Sequence, residues 1–262
     1  MQAARQMRRH ELAYAPKIQR VIKRAVDKMV REAETVGFQR AFANMDLFDE
    51  ELTSLLMDIY RKVGLAFAIQ TNRLLAKEER KDVFFNADVI QRIVNILGVQ
   101  ALNLVTRMSE TTKQEILKII QEGEQNQSSY REIALAIEQS FVLGYPRSLT
   151  IARTEVARAA NIGAMQAAEK QNFLVEKVWV AGNDRLTRRF SKEDNYDHWL
   201  MDGQRRDLDQ AFEQTGLNGV TAVAMQPGDP AAPASYTINC RCVVVFEGKR
   251  DERGRLVRKR PA

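Results

Sequence analysis

The chain has only two cysteines, two histidines, two tryptophans and six prolines in 262 residues, and 7% of it is aromatic. Cys240 and Cys242, one residue apart, give no disulfide framework, and a bridge between them would close a strained small ring. They are read as free thiols or metal ligands. Of the histidines, His10 lies in a basic N-terminal stretch, so there is no His-Glu-x-x-His pair and no Ser/His/Asp set around a well-placed imidazole. A phosphate-cradling glycine loop is also missing. No apolar run approaches the length of a membrane span, and Arg5, Arg8 and Arg9 are followed by Glu11 and Lys17, not by the apolar stretch of a signal peptide. The expectation is a protein made in the cytoplasm, with no membrane partner and no catalytic residues.

What is present is an ordinary globular composition, 45% hydrophobic, with enough length for one large or two smaller cores. Its charge is unevenly spread. Of the net +6, residues 1–31 contribute +7 and residues 248–262 contribute +5, so the stretch between carries −6. Two basic ends on a mildly acidic body suit contact with a polyanion or an acidic partner surface, through Arg5, Arg8 and Arg9 at one end and Lys249, Arg250, Arg258, Lys259 and Arg260 at the other. Simple solvation of basic termini is the alternative, and neither end has the interleaved aromatics of a single-strand binding surface.

From about Glu11 to Lys170 the apolar residues recur at helical spacing. Ile18, Val21, Ile22, Ala25 and Met29 form one stripe; Leu52, Leu55, Leu56, Ile59 and Val63 form the next; Ile90, Ile93, Val94 and Leu97 a third. Breaks are expected at residues 35–37, 44–46, 78–88, 109–111, 123–129 and 144–146. Ser129 followed by Glu132 is a capping box and predicts a helix running to about Phe141. A further helix is expected after Pro146, with Ser148 as N-cap, to about Lys170. Its small residues Ala152, Ala159, Ala160, Gly163, Ala164, Ala167 and Ala168 let another backbone come close. Beyond Gln171 the period changes to alternation in 175–180, a half-buried strand, and to the apolar run 242–246, which reads as a central strand. The expected fold class is α+β: a mainly helical N-terminal half followed by a small α+β C-terminal module with long loops.

The second half also carries an ordered set of short motifs. Ile151-Ala-Arg-Thr-Glu155 comes first, then Trp179, Asp184-Arg185 and Thr187-Arg188. His198, Asp202-Gly203 and Pro227-Gly228-Asp229 follow, and Asn239-Cys240-Arg241-Cys242 closes the set. This order resembles the phage Mu F-like head morphogenesis family, the minor head proteins of tailed bacteriophages, over roughly residues 129–246. The resemblance divides the chain into a helical docking region (1–122), a Mu F-like domain (123–247) and a basic C-terminal tail (248–262). It implies a virion protein near the portal, with the portal protein as partner, major capsid or scaffolding protein as further partners, and a role in head assembly, DNA packaging or ejection. Packaged double-stranded DNA is the polyanion it implies for the basic ends. The family reaches its histidine within a few residues of the Thr-Arg, whereas His198 lies ten positions after Arg188, as a loop insertion over 189–197 would place it.

Residue by residue, two readings stand for each motif. Arg153 and Glu155, two apart on a helix, cannot pair with each other and must find separate partners; they either line a site facing the loops or form buried bridges fixing helix to sheet. Thr154 belongs to the same motif, and Trp179 is placed on the first strand. Asp184 and Thr187 suit hydrogen bonds that shape their own turn, while Arg185 and Arg188 could reach carboxylate or phosphate. Asp229 sits in a rigid Pro-Gly-Asp-Pro turn. His198, Cys240 and Cys242 are a ligand set suited to Zn²⁺ in a structural role, with Asp184, Asp202 or a water completing a tetrahedron. Otherwise the cysteines are small buried hydrophobes and His198 a hydrogen-bonded core residue. Two alternative functions remain beside the head protein: a metal- or nucleotide-dependent enzyme module acting on a nucleotide or phosphodiester, and a DNA-binding protein acting through its basic ends.

Overall fold

A computed structural model describes residues 2–45, 50–79, 91, 94–96, 112–140, 143–185 and 187–259. The third apolar stripe, apart from Val94, and the breaks expected at 109–111 and through most of 78–88 lie outside the described residues, as does Arg260. The chain forms two compact units from interleaved segments: Met1–His10, Ile59–Leu97 and Arg153–Ala262 in one, Glu11–Asp58 and Gly98–Ala152 in the other. The boundary expected at 122/123 thus falls inside the second unit.

The second unit is helical. It contains most of α1 (Gln2–Val36), then α2 (Phe38–Ala43), α3 (Glu50–Ile59), α5 (residues 112–125) and α6 (Tyr130–Glu138). Most of the two expected stripes lies inside it: Ile18, Val21, Ile22 and Met29 of α1 and Leu52 and Leu56 of α3 are buried, as are Ile133 and Ile137 of α6, while Ala25 and Leu55 are half-buried. Gly37, at φ 81°, breaks α1 from α2 where a side chain would be strained. The Ser129–Glu132 box is formed in both directions, although α6 ends at Glu138, short of the expected Phe141. Helix α1 begins at Gln2, not near Glu11, and carries Pro16 in its interior, so Arg5, Arg8 and Arg9 sit on a helix.

The first unit holds α4 (Leu65–Glu79), the part of α7 (Tyr145–Glu169) from Arg153 onward, and the strands. Helix α7 starts at Tyr145, earlier than expected: Pro146 fits the first turn, where its missing N–H has no intrahelical partner to lose. Ser148 is therefore inside the helix and not its N-cap, and its hydroxyl donates to Gly144 O at 3.4 Å.

Strand β1 (Val175–Val180) is the middle of a three-stranded antiparallel sheet, flanked by β2 (Arg205–Asp207) and β5 (Val243–Gly248). The apolar run expected to be central is thus an edge strand. Its apolar character comes from packing rather than from neighbours on both sides: Val244 and Phe246 join Val175, Phe173, Ala164, Met165, Ala168 and Leu75 in one core, while Val245 is 38% exposed. Strands β3 (Phe212–Thr215) and β4 (Thr221–Ala224) form a hairpin, and a one-turn helix α8 (Ala234–Thr237) precedes the cysteines. A second core gathers Trp179, Tyr196, Met201, Phe212, Ala222, Ala224, Tyr236, Cys240 and Cys242 beneath the loops. At Gly163 of α7 a Cβ would lie 2.0 Å from Gly64 O, so the small-residue face does admit another backbone. Gly64 ends a π-helical turn, Tyr60–Gly64, which aims Tyr60 at α7.

Candidate functional site

Every polar residue of the helix motif is bound to another segment of the first unit. Arg153 Nη1 donates to Asn239 Oδ1, and Thr154 Oγ1 accepts from the Asn239 backbone N–H at 2.9 Å. Asn239 has φ 65°, so these two bonds hold the left-handed turn that opens the cysteine motif. Glu155 accepts from the Tyr60 hydroxyl at 2.8 Å and pairs with Arg158 at 2.9 Å. Burial pushes the Glu155 carboxyl up against the opposing pull of Arg158. Arg158 in turn donates to Gly228 O at 3.0 Å and Thr237 Oγ1 at 3.4 Å. One turn further, Asn161 donates to Pro227 O and Cys242 O and accepts from Val244 N–H, at 3.0, 3.1 and 2.9 Å. Glu155 thus has its ion pair within α7, with Arg158, and Arg153 reaches the Asn239 turn by a hydrogen bond.

The loop motifs work the same way. Asp184 and Thr187 bond each other through side chain and backbone, with Arg241 paired to Asp184, while Arg185 is exposed. Arg188 pairs with Asp194 at 2.8 Å and caps α8, donating to Tyr236 O at 2.9 Å and Ile238 O at 2.7 Å. Asp202 accepts Ala181 N–H at 2.8 Å; Asp229 accepts Met225 N–H at 2.7 Å and Ala231 N–H at 2.9 Å. The insertion 189–197 returns to its base, because His198 N–H donates to Arg188 O at 3.0 Å.

There His198 meets the cysteines. Its Nδ1 is 3.5 Å from both Cys240 Sγ and Cys242 Sγ, and the three residues are 1–3% exposed. The cysteine pair precedes β5 and follows the Asn239 turn, so the extended Cys-x-Cys geometry that would separate the thiols does not apply. The hydrogen bond from Cys242 holds the Cys240 thiol well down, with His198 adding to it, while burial and the neighbouring Cys240 push Cys242 up. Trp179, fully buried, lies edge-on to His198 at 5.5 Å and to Phe212 at 5.3 Å; Tyr236 lies edge-on to His198 at 4.6 Å. Among the described residues this is the one His/Cys/Asp/Glu group placed to hold a metal ion, and neither Asp184 nor Asp202 belongs to it.

Sequence reasoning did not single out Tyr60, Arg158, Asn161, Tyr236 or Lys177. Arg158 and Asn161 continue the 151–155 motif at helical spacing, a signal that was there to be used. Lys177 had none, since alternation alone says nothing of which polar residues are enclosed. It is fully buried on β1, donates to Leu208 O at 3.1 Å and Met225 O at 2.9 Å, and lies 5.3 Å from the Phe212 ring centre. Burial lowers its pKa to about 8.

The basic residues divide. Arg5, Arg8 and Arg9 are exposed on α1. Lys249 pairs with Asp207, Arg250 with Glu78 and Arg258 with Glu79, while Lys259 donates to Glu169 O at 2.9 Å. Bridges Arg250–Leu256 and Phe173–Arg258 fold this segment back, so residues 249–259 are part of the first unit rather than a loose tail.

A helix whose polar face clamps a Pro-Gly-Asp turn and an Asn-Cys-Arg-Cys turn, beside a three-stranded sheet, defines an α+β scaffold module. The family described as "Phage Mu protein F like protein" matches residues 110–245, and the chain belongs to it. This is a bacteriophage head morphogenesis family. A curated relative is the NAD(+)--arginine ADP-ribosyltransferase EFV of Enterococcus faecalis (strain ATCC 700802 / V583), 28% identical over 165 residues, 61% of this chain. The chain spans 31% of that protein's length. No solved structure matches. No described helix is long and apolar enough to cross a membrane.

Proposed function

We propose that the chain is a structural minor head protein of a tailed phage or prophage, resident in the virion head near the portal and acting in head assembly, DNA packaging or ejection. The observation that carries this reading is how the family's polar residues are used. Arg153, Thr154, Glu155, Arg188, Asp202 and Asp229 hydrogen-bond turns, strand ends and neighbouring side chains, which suits a scaffold and leaves no poised acid–base pair among them. The portal protein is the principal partner, with major capsid or scaffolding protein beside it. Arg5, Arg8 and Arg9, exposed along α1, are the contact to packaged double-stranded DNA or to an acidic partner surface. In the C-terminal segment Lys249, Arg250 and Arg258 are held in ion pairs within their own unit.

The test uses the intact chain, because a cut near Gly123 would divide the second unit. Co-expressed with the portal protein of its own phage, the tagged chain should co-purify with it. Replacing Arg5, Arg8 and Arg9 by glutamine should weaken binding to duplex DNA or portal and reduce its salt dependence. No portal association, combined with transfer of ADP-ribose from NAD⁺ to arginine as the relative's name describes, would replace this reading with an enzymatic one.

A further inference from the structure

We infer that His198, Cys240 and Cys242 bind one zinc ion, which staples the loop-rich half of the first unit. The inference stands on distances. Zinc at about 2.3 Å from sulfur and about 2.0–2.1 Å from nitrogen, with tetrahedral angles, sets each sulfur–nitrogen edge at about 3.6 Å. The two observed Nδ1···Sγ separations are both 3.5 Å, and all three ligand atoms lie within 4.8 Å of one another. Two thiol hydrogen bonds account for this less well. Nδ1 offers one in-plane lone pair or one hydrogen, so two sulfurs at equal distance would have to share it as a weaker three-centre bond. A cation between the three accepts that lone pair and both sulfurs together.

The chemistry of the donors selects the ion. Two thiolates and an imidazole suit a borderline-soft divalent cation and disfavour magnesium or calcium, which take oxygen. The ion's charge would also offset the cost of enclosing thiolate in a core of Trp179, Phe212 and Tyr236.

The fold explains why a staple sits here. His198 returns from the inserted loop, while Cys240 and Cys242 lie in the link from α8 to β5, so one ion ties three elements that share little sheet. Arg153 and Thr154 fix the Asn239 turn that brings the sulfurs to one side, which makes them positioning residues for the ion. Among the described residues His198 Nε2 has no hydrogen-bond partner, so the ring is oriented by Trp179 and Tyr236 edge-on to it rather than by a carboxylate. The Tyr236 hydroxyl is also buried and without a hydrogen-bond partner among the described residues.

The test is zinc content of the full-length chain, expressed untagged with zinc in the medium and dialysed without chelator. One zinc per chain is expected, and it should fall at least tenfold in the Cys240→Ser/Cys242→Ser double variant. Because that variant could fail to fold, the wild type is also reconstituted with Co²⁺. Sulfur-to-cobalt charge-transfer absorption with intense visible bands is expected from a tetrahedral thiolate site. A folded wild type that carries no zinc and gives only the pale spectrum of six-coordinate cobalt overturns the inference. So does zinc that the folded double variant retains undiminished.

Discussion

Glu155 and Arg158, one turn apart on α7, form an ion pair at 2.9 Å with side chains only 3% and 8% exposed. A pair so enclosed contributes little net stability over an apolar pair, yet removing one member strands the other's charge. Arg158→Met should therefore cost about 3–5 kcal/mol of unfolding free energy in urea titrations. Glu155→Gln keeps an acceptor for Tyr60 and should cost less. Arg158→Met within experimental error of wild type would mean the pair is not buried as described.

Asn161 joins the Pro-Gly-Asp turn to the start of β5. Asn161→Ala leaves Val244 N–H, Cys242 O and Pro227 O without this partner, and at about 1–3 kcal/mol per buried unpaired group the loss should be at least about 2 kcal/mol. Amide exchange reports it locally: Val244 should lose protection by more than the global change requires. Uniform loss across the sheet would show that Asn161 has no special hold on β5.

Gly228 and Gly219 share φ 76°, but a Cβ at Gly228 would sit 3.1 Å from Arg158 Cγ, while at Gly219 it meets nothing within 4 Å. Both alanine variants carry the backbone penalty of about 1–3 kcal/mol. Gly228→Ala should lower the melting temperature further than Gly219→Ala, and equal effects would remove Arg158 from the account.

Lys177 makes stability depend on alkaline pH. Its folded pKa of about 8 lies below the ordinary 10.5, so between these values the unfolded chain holds a proton that the folded chain has released. This residue's contribution to stability rises with pH across that window; the burial penalty is full below about 8 and absent above 10.5. Lys177→Met should flatten the slope of unfolding free energy against pH between 8 and 10.5. An unchanged slope would mean that Lys177 stays charged in its enclosure.

Much of the helical half was legible because burial of a stripe and capping of an end are local. The stripes on α1 and α3, the Gly37 break and the Ser129–Glu132 box are each set within a few residues of chain. Errors fell where one local signal outweighed another, or where distant segments override local preference. Ser148 looked like an N-cap, but a first-turn proline let α7 begin earlier; 242–246 looked central, but its apolar residues are covered by α4 and α7 from one face.

The order of motifs determined the family by itself, and Cys240, Cys242 and His198 were legible as candidate ligands, since both depend on residue type and sequence. Tertiary structure alone decided what the motifs do. Arg153 and Thr154 meet Asn239 across more than eighty residues, His198 meets Cys240 and Cys242 across more than forty, and Lys177 loses its water. Contacts at such separations leave no periodicity in the chain, and desolvation is a property of what packs around a group rather than of the group.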